Sequence, residues 1–157
     1  MAIAYLDNSA TTSVSPAAAQ RAVELMCSVF GNPASIHSLG LEAEQAVEQA
    51  RGTLATFMGC NKEEVYFTSG GTEGNNLAIL GGALAAKRKG NKIITTAVEH
   101  PSVLQAVEEL KNQGFETVIL PVEKNGVVSM EALKQAVDEK TVLISMMLIN
   151  NETGPSD

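Results

Sequence analysis

Short runs of β-branched and apolar residues alternate with longer stretches whose apolar positions recur every three or four residues, and from Val65 onward this alternation is regular. Val65 to Thr68, Lys92 to Thr96, Glu116 to Leu120 and Thr141 to Ile149 have the composition of strands. Helical patterns lie between them at about Asn76 to Lys89, Pro101 to Gln113 and Met130 to Glu139. Alternation of this kind predicts an α/β fold with a mostly parallel sheet flanked by helices. Lys124-Asn125-Gly126 reads as a turn before a short extended piece, Val127-Val128.

Ahead of Val65 the pattern is helical. Ile3 to Leu6 is a short extended segment that runs into the polar turn Asp7 to Thr12. Ser15-Pro16 has the form of an N-cap followed by proline at the first helical position, so a helix is expected over Ala17 to Val29, with Cys27 as a core thiol. Phe30 to Ser38, with Gly31 and Asn32-Pro33, breaks the pattern as a loop. A second helix is expected from Leu39 to Met58, stopped by Gly59, with Leu41, Val47, Leu54, Phe57 and Met58 facing a core.

Composition narrows the class. With 157 residues, 45% of them hydrophobic, the chain can bury a sizeable core. A formal net charge of -7, with no basic cluster longer than Lys87-Arg88-Lys89, argues against a nucleic-acid surface. That trio is expected to close a helix before Gly90. Cys27 and Cys60 have neither disulfide-framework nor zinc-site spacing, and no apolar run approaches the roughly 18 residues of a membrane span. These features fit a soluble protein of a reducing compartment, the cytoplasm.

The candidate chemistry collects at the strand ends, because ligands of open parallel sheets gather outside the carboxyl ends of the strands. After Val65-Tyr66-Phe67 comes Thr68-Ser69-Gly70-Gly71-Thr72-Glu73-Gly74-Asn75-Asn76, a glycine-rich turn that opens a helix. Such a turn offers backbone N–H groups, the positive end of a helix dipole and the hydroxyls of Ser69 and Thr72, a combination suited to a phosphate. The same residues serve equally as helix caps without any ligand. The stretch has neither the Gly-Lys-Ser/Thr ending nor the GxGxxG spacing of the common nucleotide loops. Glu73 would repel a phosphate, so its side chain is expected to turn away.

Two further strand ends carry polar groups. Pro101 biases His100 away from helical backbone angles and presents its ring at the sheet edge, as ligand contact or as cap. Asn150-Asn151-Glu152-Thr153-Gly154 closes the longest apolar run, as ligand contact or as strand terminator. An anion loop, an imidazole and an amide at one sheet edge favour a small phosphorylated ligand. A dinucleotide site, with Glu99 as the ribose acid, is the rival that lacks its glycine fingerprint.

Five motifs in register carry a resemblance: Leu6-Asp7-Asn8-Ser9-Ala10-Thr11-Thr12, Phe30 to His37, Phe67 to Asn76, Glu99-His100, and Asn150 to Gly154. In order and spacing they resemble the amino-terminal half of cysteine desulfurases of the NifS and IscS type, pyridoxal-phosphate enzymes of aminotransferase class V. Selenocysteine lyases share much of the pattern. The resemblance implies part of the large domain of the fold type I transferases, with residues 1–60 as an N-terminal segment of two helices and active-site loops and 61–157 as the α/β portion. It implies that Gly71 and Thr72 hold the phosphate of pyridoxal 5'-phosphate, that His100 stacks on its ring and helps to move protons as the catalytic residue, and that Asn151 contacts its phenolic oxygen or the substrate carboxylate. The loop around Asn32 would line the cleft.

The implied reaction converts L-cysteine to L-alanine and passes sulfur to an enzyme persulfide and then to an acceptor such as an iron-sulfur scaffold protein, in a homodimer. The family's cofactor-bearing lysine, its aspartate at the pyridine nitrogen, its persulfide cysteine and its substrate-binding arginine have no matching positions here. The chain is therefore expected to hold only part of the site and to be inactive alone, with a non-catalytic phosphate- or partner-binding fragment as the alternative.

Overall fold

The computed structural model describes residues 4–8, 10–124, 126–151 and 154–155, and divides into two compact units, Met1–Phe67 and Thr68–Asp157. The second unit is built on a three-stranded parallel sheet of β1 (Lys92–Thr96), β2 (Glu116–Leu120) and β3 (Thr141–Ile144), in the order β2-β1-β3. β1 pairs with β2 in unbroken register from Lys92 opposite Glu116 to Thr96 opposite Leu120. Its pairing with β3 slips by one residue between Lys92 and Ile93. As the central strand, β1 is buried from Ile93 to Thr96.

Helices cover both faces. Gly71–Asn76 (α3), a π-helical segment Leu77–Gly81 and Gly82–Ala86 (α4) run on as one helical stretch. With Pro101–Asn112 (α5) this stretch packs Ile79, Ala83, Val103, Ala106, Val107, Leu110 and Phe115 around Ile93. On the other face Ile94 and Leu120 meet Val128 and the apolar side of Met130–Ala136 (α6), through Ala132, Leu133 and Ala136. The strand order reverses at β1. α5 leads from β1 to β2 over one face, and α6 leads from β2 back past β1 to β3 over the other. The carboxyl ends of β1 and β3 thus flank a topological switch point, where open sheets leave a crevice.

Element ends differ from the sequence expectations for local reasons. Val65 to Thr68 forms no strand among the described residues: Val65 is extended, but its carbonyl accepts from the Arg51 guanidinium. The last expected strand ends at Ile144 rather than Ile149, because the Met147 N–H is claimed by the Glu99 carboxylate; Ile149–Asn150 (β4) instead pairs antiparallel with Gly154–Pro155 (β5). The helix expected from Asn76 begins at Gly71, so much of the glycine-rich stretch is itself helical. α6 stops at Ala136 instead of Glu139, where Val137 turns extended and the Asp138 N–H donates to the Thr141 hydroxyl at 3.0 Å. Gly90 has a packing reason, since a Cβ there would lie 2.3 Å from the Lys140 carbonyl oxygen. Ile3 of the first extended segment, Ser9 of the following turn and Asn125 of the Lys124-Gly126 turn lie outside the described residues.

The first unit holds Pro16–Ser28 (α1), capped by Ser15, and Ser38–Met58 (α2), capped by the His37 ring and ended by Gly59 in the left-handed region at φ 68°. Gly31 and Gly40 let the intervening loop press onto the first turn of α2, because a Cβ at either position would lie 2.1 Å from a backbone oxygen. The core expectation fails here. Cys27 is exposed, as are Leu41, Leu54, Met58 and Phe57, the last at 90%. Only Gly40, Ala43 and Ala55 of α2 are buried, because two helices and a loop supply too little surface to cover a large apolar stripe.

At the amino ends of the strands the Lys92 ammonium contacts Asp138 at 2.8 Å and Glu116 at 3.2 Å, joining β1 to β2 and to the turn that leads into β3. Its hydrogen bond to Asp138 holds the Lys92 pKa above and the Asp138 pKa below their ordinary values. The lysine contribution is complete below the unfolded lysine pKa and is lost as pH rises through the raised folded value. The aspartate contribution is complete above the unfolded carboxyl pKa and is lost as pH falls through the depressed folded value. Thermal denaturation against pH should therefore show the parent most separated from Lys92→Met across the neutral range, with the curves converging in acid and in strong alkali; parallel curves throughout would refute the clamp. Leu110→Ala, at a position with no exposure, should lower the unfolding free energy by about 2–5 kcal/mol in urea titrations.

Candidate active site

The start of α3 presents a set of donors. Its first turn leaves the N–H groups of Gly71, Thr72 and Glu73 and the Thr72 hydroxyl without acceptors among the described residues, while the Gly74 N–H is closed onto the Gly70 carbonyl. Space above the loop is open, since a Cβ on Gly70 or Gly71 would meet nothing within 4 Å. The Ser69 hydroxyl, an expected ligand, is committed elsewhere. The Glu73 carboxylate folds back to accept the Ser69 hydroxyl at 2.7 Å and the Ser69 N–H at 2.6 Å, which holds its pKa below the ordinary carboxylate range, the hydroxyl contributing most. The acid is thereby engaged at the loop's beginning, and Gly71 and Thr72 remain for an anion.

His100 caps α5. Its Nδ1 accepts from the Ser102 N–H at 3.2 Å and lies 2.7 Å from the Ser102 hydroxyl. Pro101 sets the first helical position after it, and the ring is exposed. The buried Ser102 hydroxyl is also 2.9 Å from Asn75 Nδ2 of α3, so the histidine and the glycine-rich helix start share one hydrogen-bond chain. The third tip joins them: Asn150 Nδ2 donates to the Val98 carbonyl at 2.9 Å, two residues before His100. Asn151, next along the chain, is exposed; Glu152 and Thr153 of its motif lie outside the described residues.

The segments bearing Thr72, His100 and Asn151 are thus cross-linked at the carboxyl end of the sheet. Glu99 faces inward, its carboxylate accepting from the Thr96 hydroxyl at 3.2 Å and from the Met147 N–H. It is buried and in use, so it does not serve as a ribose acid. Asn32 belongs to the first unit, where its Oδ1 accepts from the Ala34 N–H at 2.9 Å in a local turn. Ser102 is the residue that sequence reasoning passed over, while Asn75 and Asn150 were named only as members of their motifs, without these cross-linking roles. Its place two positions after a helix-capping histidine was the available signal.

Among the described residues no cluster of three His, Cys, Asp or Glu side chains could hold a metal, and no helix is long and apolar enough to cross a membrane.

A family model described as aminotransferase class-V matches residues 4–157. A NifS/IcsS protein homolog from Lactobacillus delbrueckii subsp. bulgaricus is 47% identical over 150 residues, covering 96% of this chain and 39% of that protein. A cysteine desulfurase IscS from Neisseria meningitidis serogroup C is 46% identical over 151 residues, covering 96% and 37%. Among solved structures a NifS-like protein superposes with a TM-score of 0.87 at 37% identity, over 92% of this chain and 40% of its own. SspA in complex with cysteine gives 0.84 at 32% identity, over 94% and 43%. The chain spans about two fifths of the length of these relatives.

The Glu73 contact makes a direct prediction. In a carboxyl-detected NMR titration Glu73 should titrate below the ordinary glutamate midpoint, and Ser69→Ala should move that midpoint back up. An unchanged midpoint in the variant would show that Glu73 is not held by Ser69.

Proposed function

We propose that this chain, which belongs to the class-V aminotransferase family, carries the phosphate-binding and ring-face part of the pyridoxal 5'-phosphate site of a cysteine desulfurase. The α/β arrangement of its second unit, a parallel sheet flanked by helices, is that of the fold type I transferases. The observation that carries the proposal is the cross-linking of three polar strand ends at one sheet edge, through Asn75 to Ser102 to His100 and through Asn150 to Val98.

The donor set fits the cofactor. Three N–H groups and a hydroxyl without acceptors among the described residues, with open space, suit a phosphate, and the Glu73 carboxylate is turned onto Ser69. Gly71 and Thr72 would hold the phosphate, and His100 would lie against the pyridine ring. Asn151 would reach the phenolic oxygen or the substrate carboxylate. Bound there, pyridoxal phosphate would supply an electron sink for the negative charge released at the α-carbon of L-cysteine. The chain's own residues would orient that group, and the His100 imidazole would hold or move a proton beside it. A cysteine thiolate from sequence with no counterpart here would attack the substrate sulfur, forming the S–S bond of a persulfide as the C–S bond breaks and its electron pair stays on the substrate carbon, and would pass the sulfur to an acceptor such as an iron-sulfur scaffold in a dimeric, cytoplasmic enzyme.

The test uses the chain with and without its complement. Titration of pyridoxal phosphate into the chain should give binding that Thr72→Ala weakens roughly tenfold, the loss of one hydrogen bond to a charged group. Co-expression with the complementary segment of a relative should restore sulfide release from L-cysteine, and His100→Ala should slow turnover with the fold intact. Equal cofactor affinity in Thr72→Ala, or full activity in the His100 variant, would remove the corresponding assignment.

A further inference from the structure

Deepening the proposed function and resting on it for its catalytic meaning, we propose that Ser102 and Asn75 are positioning residues that fix the proton of neutral His100 on Nε2 and keep Nδ1 as an acceptor.

The hydrogen-bond directions follow from the donors present. The Ser102 backbone N–H has only a proton to offer, and it points at His100 Nδ1 from 3.2 Å. Nδ1 must therefore present its lone pair, which places the ring proton on Nε2. The Ser102 hydroxyl, 2.7 Å from the same nitrogen, then has one arrangement open to it, which is to donate to Nδ1. Its oxygen is left as an acceptor and meets the Asn75 amide at 2.9 Å, which must present Nδ2. The chain runs one way, from Asn75 Nδ2–H to Ser102 Oγ and from Ser102 O–H to His100 Nδ1. Ser102 is only 5% exposed, so water competes little for its hydroxyl.

The consequence concerns which nitrogen does chemistry. The exposed nitrogen carries the proton and can donate it or share it. The other neutral tautomer, with the proton on Nδ1, would require Ser102 to turn its hydroxyl and give up its backbone bond. In the neutral ring Nε2–H is thus the donor and Nδ1 the acceptor. The polarity is set from α3, the element that also offers the anion-binding N–H groups, so the orientation of the ring and the geometry of the helix start are coupled through Asn75.

The experiment is a long-range proton-nitrogen NMR correlation on the unliganded chain, at a pH where the rings are neutral. Only two histidines are present, and His37, whose Nδ1 accepts from the Gly40 N–H at 3.3 Å, is an internal reference that the variants leave untouched. The parent should show His100 protonated on Nε2. Asn75→Asp, nearly isosteric but unable to donate, draws the Ser102 hydroxyl toward the new carboxylate and should raise the ratio of the Nδ1–H to the Nε2–H form about fivefold, the effect of one hydrogen bond. Ser102→Ala should raise it less, because it removes the hydroxyl without leaving an oxygen to accept from Nδ1–H, and Ser102→Thr should restore the parental pattern.

A parent ring protonated on Nδ1 overturns the proposal, and this holds even if a variant fails to fold. A folded Asn75→Asp with an unchanged ratio overturns it as well. No cofactor enters the measurement, so a failure here is separable from a failure of pyridoxal phosphate to bind.

Discussion

Everything at the candidate site depends on β1 being held between two parallel neighbours. Ile93 and Ile94 point to opposite faces, each into its own apolar cluster, and this double burial fixes the strand against sliding or turning. The next pair, Thr95 and Thr96, is equally buried but polar, and marks the change from core to site. The Thr96 hydroxyl donates to Glu99, while that of Thr95 finds no partner among the described residues. A buried hydroxyl without a partner costs about 1–3 kcal/mol, so the apolar packing of Ile93 and its neighbours has to outweigh it. The segment that follows, Ala97 to His100, leaves from a fixed point.

A fixed point of departure does not by itself bring three loops together, and the polar cross-links complete the work. Glu99 ties the end of β1 to the backbone after β3, and Asn150 ties the same region back to Val98. Both connect residues about fifty positions apart and act where regular pairing has stopped. They replace the ladder that the apolar run through Ile149 would have continued. The sheet is cut short so that its ends can be polar.

Much of this was legible beforehand, and the misses have physical causes. The parallel sheet, the caps at Ser15 and His100 and the stop at Gly59 follow from local pattern and turn chemistry, which a linear reading handles well. Val65 to Thr68 looked like a strand because β propensity says nothing of whether a partner edge exists; Arg51 took the carbonyl instead. The expected core of α2 failed for a related reason, since an apolar stripe reports what could be buried and not how much chain is at hand to cover it. Thr72, His100 and Asn151 could be named from their places after strands. Asn75 and Ser102 could not, because their contact spans 27 positions and appears only when α3 and α5 lie on the same face of the sheet.

Charge explains why the site takes the form it does. The sequence from Thr68 to Asn76, from Ala97 to His100 and from Ser145 to Asn151 contains no lysine or arginine. Lys92, the cation within the sheet, stands at the other end of β1, at roughly 3.3 Å per residue over four residues, and is already held by Asp138 and Glu116. An anion at the carboxyl edge must be held by oriented N–H groups and hydroxyls, in a chain whose net charge is -7. Dipoles of this kind act only over short distances and only when aimed, so an anion held there would depend on the rigidity of the helix start. Glu73 belongs to the same logic. By taking both donors of Ser69 it ties the loop down from within, and an anion would be left the N–H groups of Gly71, Thr72 and Glu73, whose direction the helix already determines.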